Sequence, residues 1–161
     1  MPFNWKRDKD DVMLDPRIFL RARRLLKYKP VVDMFASDFH HQLSWYYAME
    51  DDPKAAGKDA FKANWLAELN PYINPPWYLI PACLDKLVED QAVAMVVVPK
   101  REDASLWPLS CDLCKRHLDI AEPIYLRPDK SLWKKPMRDT RIGIFDGIRL
   151  VPPRQKGDCK P

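Results

Sequence analysis

The chain has 161 residues, 47% of them hydrophobic, which suits one domain with a packed core and excludes a disordered protein. Its longest apolar run, residues 92–98, is too short to span a bilayer, so no membrane partner is expected. The net charge of +4 is uneven: residues 1–30 hold nine basic and four acidic residues, residues 31–126 hold eight and fifteen, and residues 127–161 hold ten and four. Basic ends suit contact with a phosphate backbone, and they equally suit solvated arms.

The termini and the cysteines give the expected organisation. Residues 1–11 are polar and charged and lack the apolar core of a secretion signal. Four cysteines in a chain without that signal indicate reduced thiols. We therefore expect a soluble, intracellular protein with a flexible arm over residues 1–11, one domain over residues 12–151 and a disordered tail over residues 152–161.

The first half of the chain predicts one helix and one strand before an irregular region. Asp15-Pro16 is a helix start, and a helical apolar stripe follows it at Ile18, Phe19, Ala22, Leu25 and Leu26. Residues 31–35 predict a short buried strand that ends near an acid. Residues 36–58 predict irregular structure, and residues 59–66 a short helix or a loop.

The second half alternates strands and helices. Strands are predicted at residues 71–73 and 93–98, helices at 79–89 and 105–118, and closing strands at 124–126 and 141–145. Alternation of this kind is typical of an α/β fold with a mostly parallel sheet.

The most informative motif is Asn74-Pro75-Pro76-Trp77, directly after a predicted strand. The exocyclic nitrogen of adenine is a poor nucleophile, and it is oriented for attack by two acceptors, such as an Asn side-chain oxygen and a backbone carbonyl. Two prolines hold the loop rigid and leave carbonyls free of competing N–H donors. An aromatic ring can then stack on an extruded base. A plain proline turn remains the alternative interpretation of four residues.

The order and spacing of several segments resemble the minimal phage-type (Dam-like) DNA adenine methyltransferases. The segments are residues 32–37, Asp59-Ala60-Phe61 followed by Trp65, residues 74–77, and residues 96–99 followed by Trp107. The resemblance extends over residues 12–126.

A closer resemblance is to the Dam-like segment that follows ribonuclease H in DIRS-type tyrosine-recombinase retroelement polyproteins. Those segments begin with a pattern similar to residues 12–19. They continue with motifs similar to residues 32–37, His41-Gln42-Leu43 and Asp52-Pro53. Many of them carry an aromatic residue where this chain has Asn74, so the asparagine favours a functional site here.

The resemblance implies a fold and a site. The fold would be a three-layer Rossmann-like methyltransferase sandwich with a mostly parallel sheet. The cofactor would be S-adenosylmethionine, with Asp33 at its amino-acid end, Phe35 packed near it and Asp59 accepting a hydrogen bond from its adenine. Asn74, Pro75 and Trp77 would form the catalytic loop.

Two other patterns have competing interpretations. Cys111, Cys114 and His117 have the spacing of zinc ligands, but no second ligand pair accompanies them, and both cysteines fall on a predicted helix face, so no metal is expected. Residues 45–47, all aromatic, suit base stacking and equally suit a β-like core or rim segment.

Two functional hypotheses follow. The first is an S-adenosylmethionine-dependent adenine amino-group methyltransferase acting on nucleic acid. The second is an inactive retroelement- or phage-derived domain that binds nucleic acid or serves as a structural subunit among protein partners; the absence of glycine over residues 35–39, where a cofactor would approach the backbone, favours it. In either case the expected phosphate contacts are Arg21, Arg23, Arg24, Lys134 and Lys135.

Overall fold

The structure, a computed structural model, describes residues 13–38, 40–121, 125–127, 130–131 and 139–148. The predicted arm and tail lie outside these ranges. The helices are Pro16–Leu26 (α1), Ile80–Glu89 (α2) and Trp107–Leu113 (α3), and 3₁₀ turns cover Ala60–Lys62 and Trp77–Leu79. The strands are Met13–Leu14 (β1), Val32–Ala36 (β2), Trp45–Ala48 (β3), Gly57–Lys58 (β4), Pro71–Ile73 (β5), Val93–Pro99 (β6), Cys114–Ile120 (β7), Tyr125–Leu126 (β8) and Thr140–Asp146 (β9).

The described strands form one large sheet and a small ribbon. The sheet has the order β4-β3-β2-β5-β6-β9-β7, and every neighbouring pair is parallel except those that involve β9. The ribbon pairs β1 with β8 antiparallel, with Leu14 opposite Tyr125. The prediction of an α/β fold with a mostly parallel sheet is therefore confirmed.

Helices cover both faces of the sheet, because the central strands are apolar on both sides. Along β6, Met95 and Val97 pack with the α1 side, where Phe19, Ala22 and Leu26 are buried. The alternate β6 residues pack with the α2 and α3 side; they are Ala94, Val96 and Val98. This burial on two faces explains why β6 is a continuous run of apolar residues rather than an alternating one.

Helix α1 begins and ends where its sequence predicts. The side chain of Asp15 accepts a hydrogen bond of 2.9 Å from the backbone N–H of Arg17, and Pro16 occupies the first turn. Lys27 closes the helix in the left-handed conformation, with φ 52°. Leu25 departs from the predicted stripe: it is 55% exposed, because it lies to one side of the face formed by Phe19, Ala22 and Leu26.

Three local predictions are wrong. Residues 36–58 are not wholly irregular, since they contain β3 and β4. The helix predicted over residues 105–118 ends at Leu113, and the chain continues as β7, which gains a full row of pairs with β9. Strand β8 does not close the large sheet, because it pairs with β1 instead.

Candidate functional site

A pocket opens where β2 and β5 end, at the side of the sheet we call its carboxyl end. These two strands are neighbours, and the chain goes on from β2 to β3 on one side and from β5 to β6 on the other. Open α/β sheets bind ligands at this kind of reversal in strand order. The enclosed space measures about 40 Å³, which suits a small polar group or a few waters.

Asp33 lines the pocket and is only 3% exposed. Its Oδ2 accepts a hydrogen bond of 2.9 Å from the backbone N–H of Gln42, while its Oδ1 has no hydrogen-bond partner among the described residues. Burial raises the pKa of Asp33 to about 7, although the backbone N–H groups of Gln42 and Phe35 favour the charged form. Among the described residues, Asp33 forms no ion pair with a cationic side chain.

Tyr72 and Asn74 bring β5 to the same pocket. Tyr72 is the register partner of Asp33 in the β2–β5 pair, and Asn74 follows β5 directly. Burial raises the pKa of the Tyr72 hydroxyl well above its ordinary value, the charge of Asp33 adds to this, and the nearby Asn74 side chain opposes it. The hydroxyl still makes no hydrogen bond of standard geometry among the described residues. Two buried polar atoms, the Tyr72 hydroxyl and Asp33 Oδ1, therefore lack partners in one pocket.

The Asn-Pro-Pro-Trp loop leaves the pocket with its aromatic end in solvent. Pro75 is buried, whereas Trp77 is 46% exposed and the next residue, Tyr78, is 60% exposed. The side chain of Trp77 is hydrogen-bonded to the buried Tyr125 of β8. The loop is thus tied to the β1–β8 ribbon, whose Leu14 also lines the pocket.

Phe35 and Asp59 are placed differently relative to the pocket. Phe35 lines it and packs edge-on against Phe61 and Trp65, with ring centroids 5.5 and 6.2 Å away. Asp59 follows β4 at the carboxyl end of the sheet, and its Oδ1 accepts a hydrogen bond of 3.0 Å from the N–H of Phe61. Asp59 is therefore outside the pocket lining but one contact away from Phe35, through Phe61.

Gln42 is a site residue to which the sequence assigned no role. Besides its backbone bond to Asp33, its side-chain Nε2 donates to the carbonyl of Leu14 at 2.6 Å. Gln42 thereby joins the β2–β3 connection to the ribbon across the pocket. The one sequence feature that includes Gln42 is the His41-Gln42-Leu43 motif, which is part of the resemblance to the retroelement segments.

The predicted phosphate contacts lie away from the pocket. Helix α1 runs from Leu14, at the carboxyl end of the sheet, to the amino end, where Tyr28 donates to the carbonyl of Pro71 at 3.2 Å and β5 begins. Arg23 and Arg24 belong to this far half of the helix. Arg21 is half-buried and its Nε is buried, so this predicted phosphate contact is only partly accessible. Lys134 and Lys135 lie outside the described residues.

The cysteines partly contradict the expectation of reduced thiols and of a shared helix face. Cys83 and Cys114 are buried thiols, whereas Cys111 is disulfide-bonded. Cys111 lies on α3 and Cys114 begins β7, since the helix ends between them. The described part of the chain contains no cluster of three potential metal-ligating side chains.

The fold and the pocket define a class: an open, mostly parallel α/β protein with a polar site at its strand-order reversal. Comparisons of the chain with protein-family models, with curated proteins and with solved structures found no match. No helix in the described ranges is both long enough and apolar enough to cross a membrane.

Proposed function

We propose that the protein is an S-adenosylmethionine-dependent adenine amino-group methyltransferase-like domain that acts on nucleic acid. The observation that carries the proposal is the buried Asp33 carboxyl, with one oxygen unpartnered, in a pocket that also reaches Asn74. A ligand with a cationic amino group would complete the bonding of Asp33. The amino-acid end of S-adenosylmethionine has such a group.

The sheet supports the proposal. Numbered along the chain within the sheet, its strands have the order 3-2-1-4-5-7-6, and the seventh is the reversed one. The first five positions follow the dinucleotide-binding order 3-2-1-4-5. A single reversed strand leaves the sheet mostly parallel, which is what the sequence resemblance implies.

The pocket residues fit the cofactor in part. The enclosed space of about 40 Å³ suits an ammonium group beside Asp33 rather than a whole cofactor. The remainder would lie along the carboxyl end of the sheet, past Phe35 towards Asp59. The cofactor, when bound, supplies an activated methyl group.

The Asn-Pro-Pro-Trp loop supplies the second half of the proposed site. Asn74 would accept a hydrogen bond from the adenine amino group, and Pro75 holds the backbone that presents it. Trp77, half exposed at the mouth of the loop, offers a surface on which a base can stack.

A second candidate is an inactive nucleic-acid-binding or structural domain. Two observations favour it: the enclosed space is small, and the cationic end of α1 lies at the opposite end of the sheet from Asn74. This candidate needs no cofactor, so cofactor binding separates the two.

Titration calorimetry with S-adenosylmethionine tests the proposal. We expect the wild-type chain to bind, with affinity that rises as pH increases from 5.5 to 7, because Asp33 must lose its proton to pair with an ammonium group. Asp33→Asn should abolish the heat of binding. Asp85→Asn, the same change at an exposed position of α2, is the matched control and should bind normally. Absence of binding by the wild-type chain up to millimolar cofactor contradicts the proposal and favours the second candidate.

A further inference from the structure

The C-terminal half of α1 carries a concentration of positive charge. Arg23, Arg24, Lys27 and Lys29 line a shallow, open depression of about 500 Å³ together with Leu20 and Tyr28. No carboxylate is among the residues that line it. We call these four cations the α1 basic surface.

The four cations have no acidic partners within the described residues, unlike most cations elsewhere in this fold. Lys54 pairs with Asp38, Lys58 with Asp51, Arg101 with Asp103, and Lys86 with Asp90. Arg23 instead lies over the ring of Phe19, with 5.8 Å between its guanidinium carbon and the ring centroid. The positive potential of the surface is therefore not neutralised locally.

A cation from a second element reaches the C-terminal end of α1. The Nε of Arg116, on β7, donates to the carbonyl of Leu26 at 3.0 Å. Cations near a helix C-terminus stabilise it through the helix dipole, and Arg116 performs that role directly. The side chains of Arg24, Lys27 and Lys29 are exposed to solvent.

The surface is separate from the pocket. Asn70 donates its side-chain N–H to the carbonyl of Lys29 at 3.0 Å, immediately before β5 begins, whereas the pocket lies where β5 ends. An anion held by the α1 basic surface is therefore at the amino end of the sheet and cannot be the nucleotide whose base meets Asn74.

We propose that the α1 basic surface, with Arg116, binds the phosphate backbone of a nucleic acid independently of the cofactor pocket. Two of the four cations are arginines, whose planar guanidinium matches a phosphate with two parallel hydrogen bonds. Several unneutralised cations that line one depression match a polymer with one charge per nucleotide better than they match an acidic peptide, in which carboxylates are intermittent. The inference goes beyond the proposed function, because it needs neither S-adenosylmethionine nor Asn74.

The test is fluorescence anisotropy of the full chain with a labelled 20-nucleotide single-stranded DNA, over a series of salt concentrations. The variant Arg24→Gln/Lys27→Gly/Lys29→Gln removes three exposed charges and gives the left-handed position 27 its preferred glycine, so folding should be preserved. We expect at least tenfold weaker binding at low salt, and a plot of log affinity against log salt that is shallower by about 2.

The control variant Lys54→Gln/Lys58→Gln/Arg101→Gln loses the same net charge from ion-paired positions. It should bind within about twofold of the wild type. Equal losses in both variants, or no binding by the wild type, overturn the inference. Displacement of the DNA by an equal charge of poly-L-glutamate also overturns it, in favour of an acidic protein partner. Asp33→Asn should bind DNA normally, so failure of the cofactor proposal is distinguishable from failure of this one.

Discussion

The raised pKa of Asp33 should lower the stability of the folded chain at neutral pH relative to mild acid. Its pKa in the folded state, about 7, lies above the value of 3.8 for an ordinary Asp, so the folded state binds the proton more tightly than the unfolded state. The free energy of unfolding should therefore fall as pH rises from about 4 to about 7. The ceiling on this loss, for a shift of about three units, is about 4 kcal/mol.

Asp33→Asn should remove that penalty while keeping an oxygen that can accept the bond from Gln42. We expect the variant to be more stable than the wild type at pH 8 and nearly equal to it at about pH 4, near the ordinary pKa of an Asp, as measured by urea unfolding at both values. A variant that is less stable at both pH values would mean that the Asp33 carboxyl has a stabilising partner within the fold.

A substitution at Asn74 tests whether this side chain serves function rather than stability. Its side chain is half-buried on a loop, beside the Tyr72 hydroxyl. Asn74→Ala should keep the melting temperature within a few degrees and abolish methyl transfer to an adenine-containing oligonucleotide. Strong destabilisation, of about 2 kcal/mol or more, would instead identify the loop as a structural turn.

The residues of the pocket could be predicted in part. Asn74 directly follows a predicted strand, whereas Asp33 lies inside the predicted strand 31–35 and is assigned a role through the family resemblance. The two lie in one pocket because β2 and β5 are parallel neighbours. Tyr72 could be predicted as a strand residue but not as an unpartnered hydroxyl. Gln42 could not be assigned at all, because its bond to Leu14 spans 28 residues of sequence.

At the scale of elements, the error at β7 has a physical cause. Residues 105–118 carry apolar side chains at helical spacing, and periodicity alone does not distinguish a long helix from a short helix followed by a strand. The strand forms because β9 offers it a ladder and because Asp119 forms a two-pronged ion pair with the buried Arg141, at 2.8 and 2.9 Å. The two paired residues are 22 apart in the sequence, so no local sequence pattern indicates that they meet.

The junction between β9 and α2 gives a prediction for an element. Gly147, just after β9, donates its N–H to the carbonyl of Ala92 at 2.7 Å, and a Cβ added to it would overlap the backbone carbonyl of Leu87. Because backbone atoms of a packed helix cannot move aside easily, Gly147→Ala should destabilise the fold by about 1–3 kcal/mol.

Gly57→Ala is the matched control for this substitution. There the added Cβ would meet the ring of Tyr47, a side chain that can shift, so the loss should be smaller. Thermal unfolding of both variants measures the difference. Equal losses would show that the backbone contact at Leu87 has no special cost.

At the scale of the whole molecule, the two ends of the sheet carry different chemistry. The carboxyl end holds an acid and an amide in a small pocket, and the amino end holds unneutralised cations on α1. The α/β class and the parallel core follow from the alternation of strands and helices in the sequence. The separation of acidic and basic groups between the two ends of the sheet could not be predicted, because the charge of a segment does not indicate at which end of the sheet a helix terminates.

The place of β9 also determines when the sheet can be completed during synthesis. β9 lies between β6 and β7, although it follows both in the chain. At roughly 5–20 residues per second, a ribosome needs several seconds to make the roughly 45 residues from the end of β6 to the end of β9. During that interval the inner side of β6 has no strand beside it, and the apolar residues 94–98 present open N–H and C=O groups. During synthesis, β6 is therefore open to pairing with neighbouring nascent chains on a polysome. This interval is longer than in a protein whose last strand adds to the outer edge of the sheet.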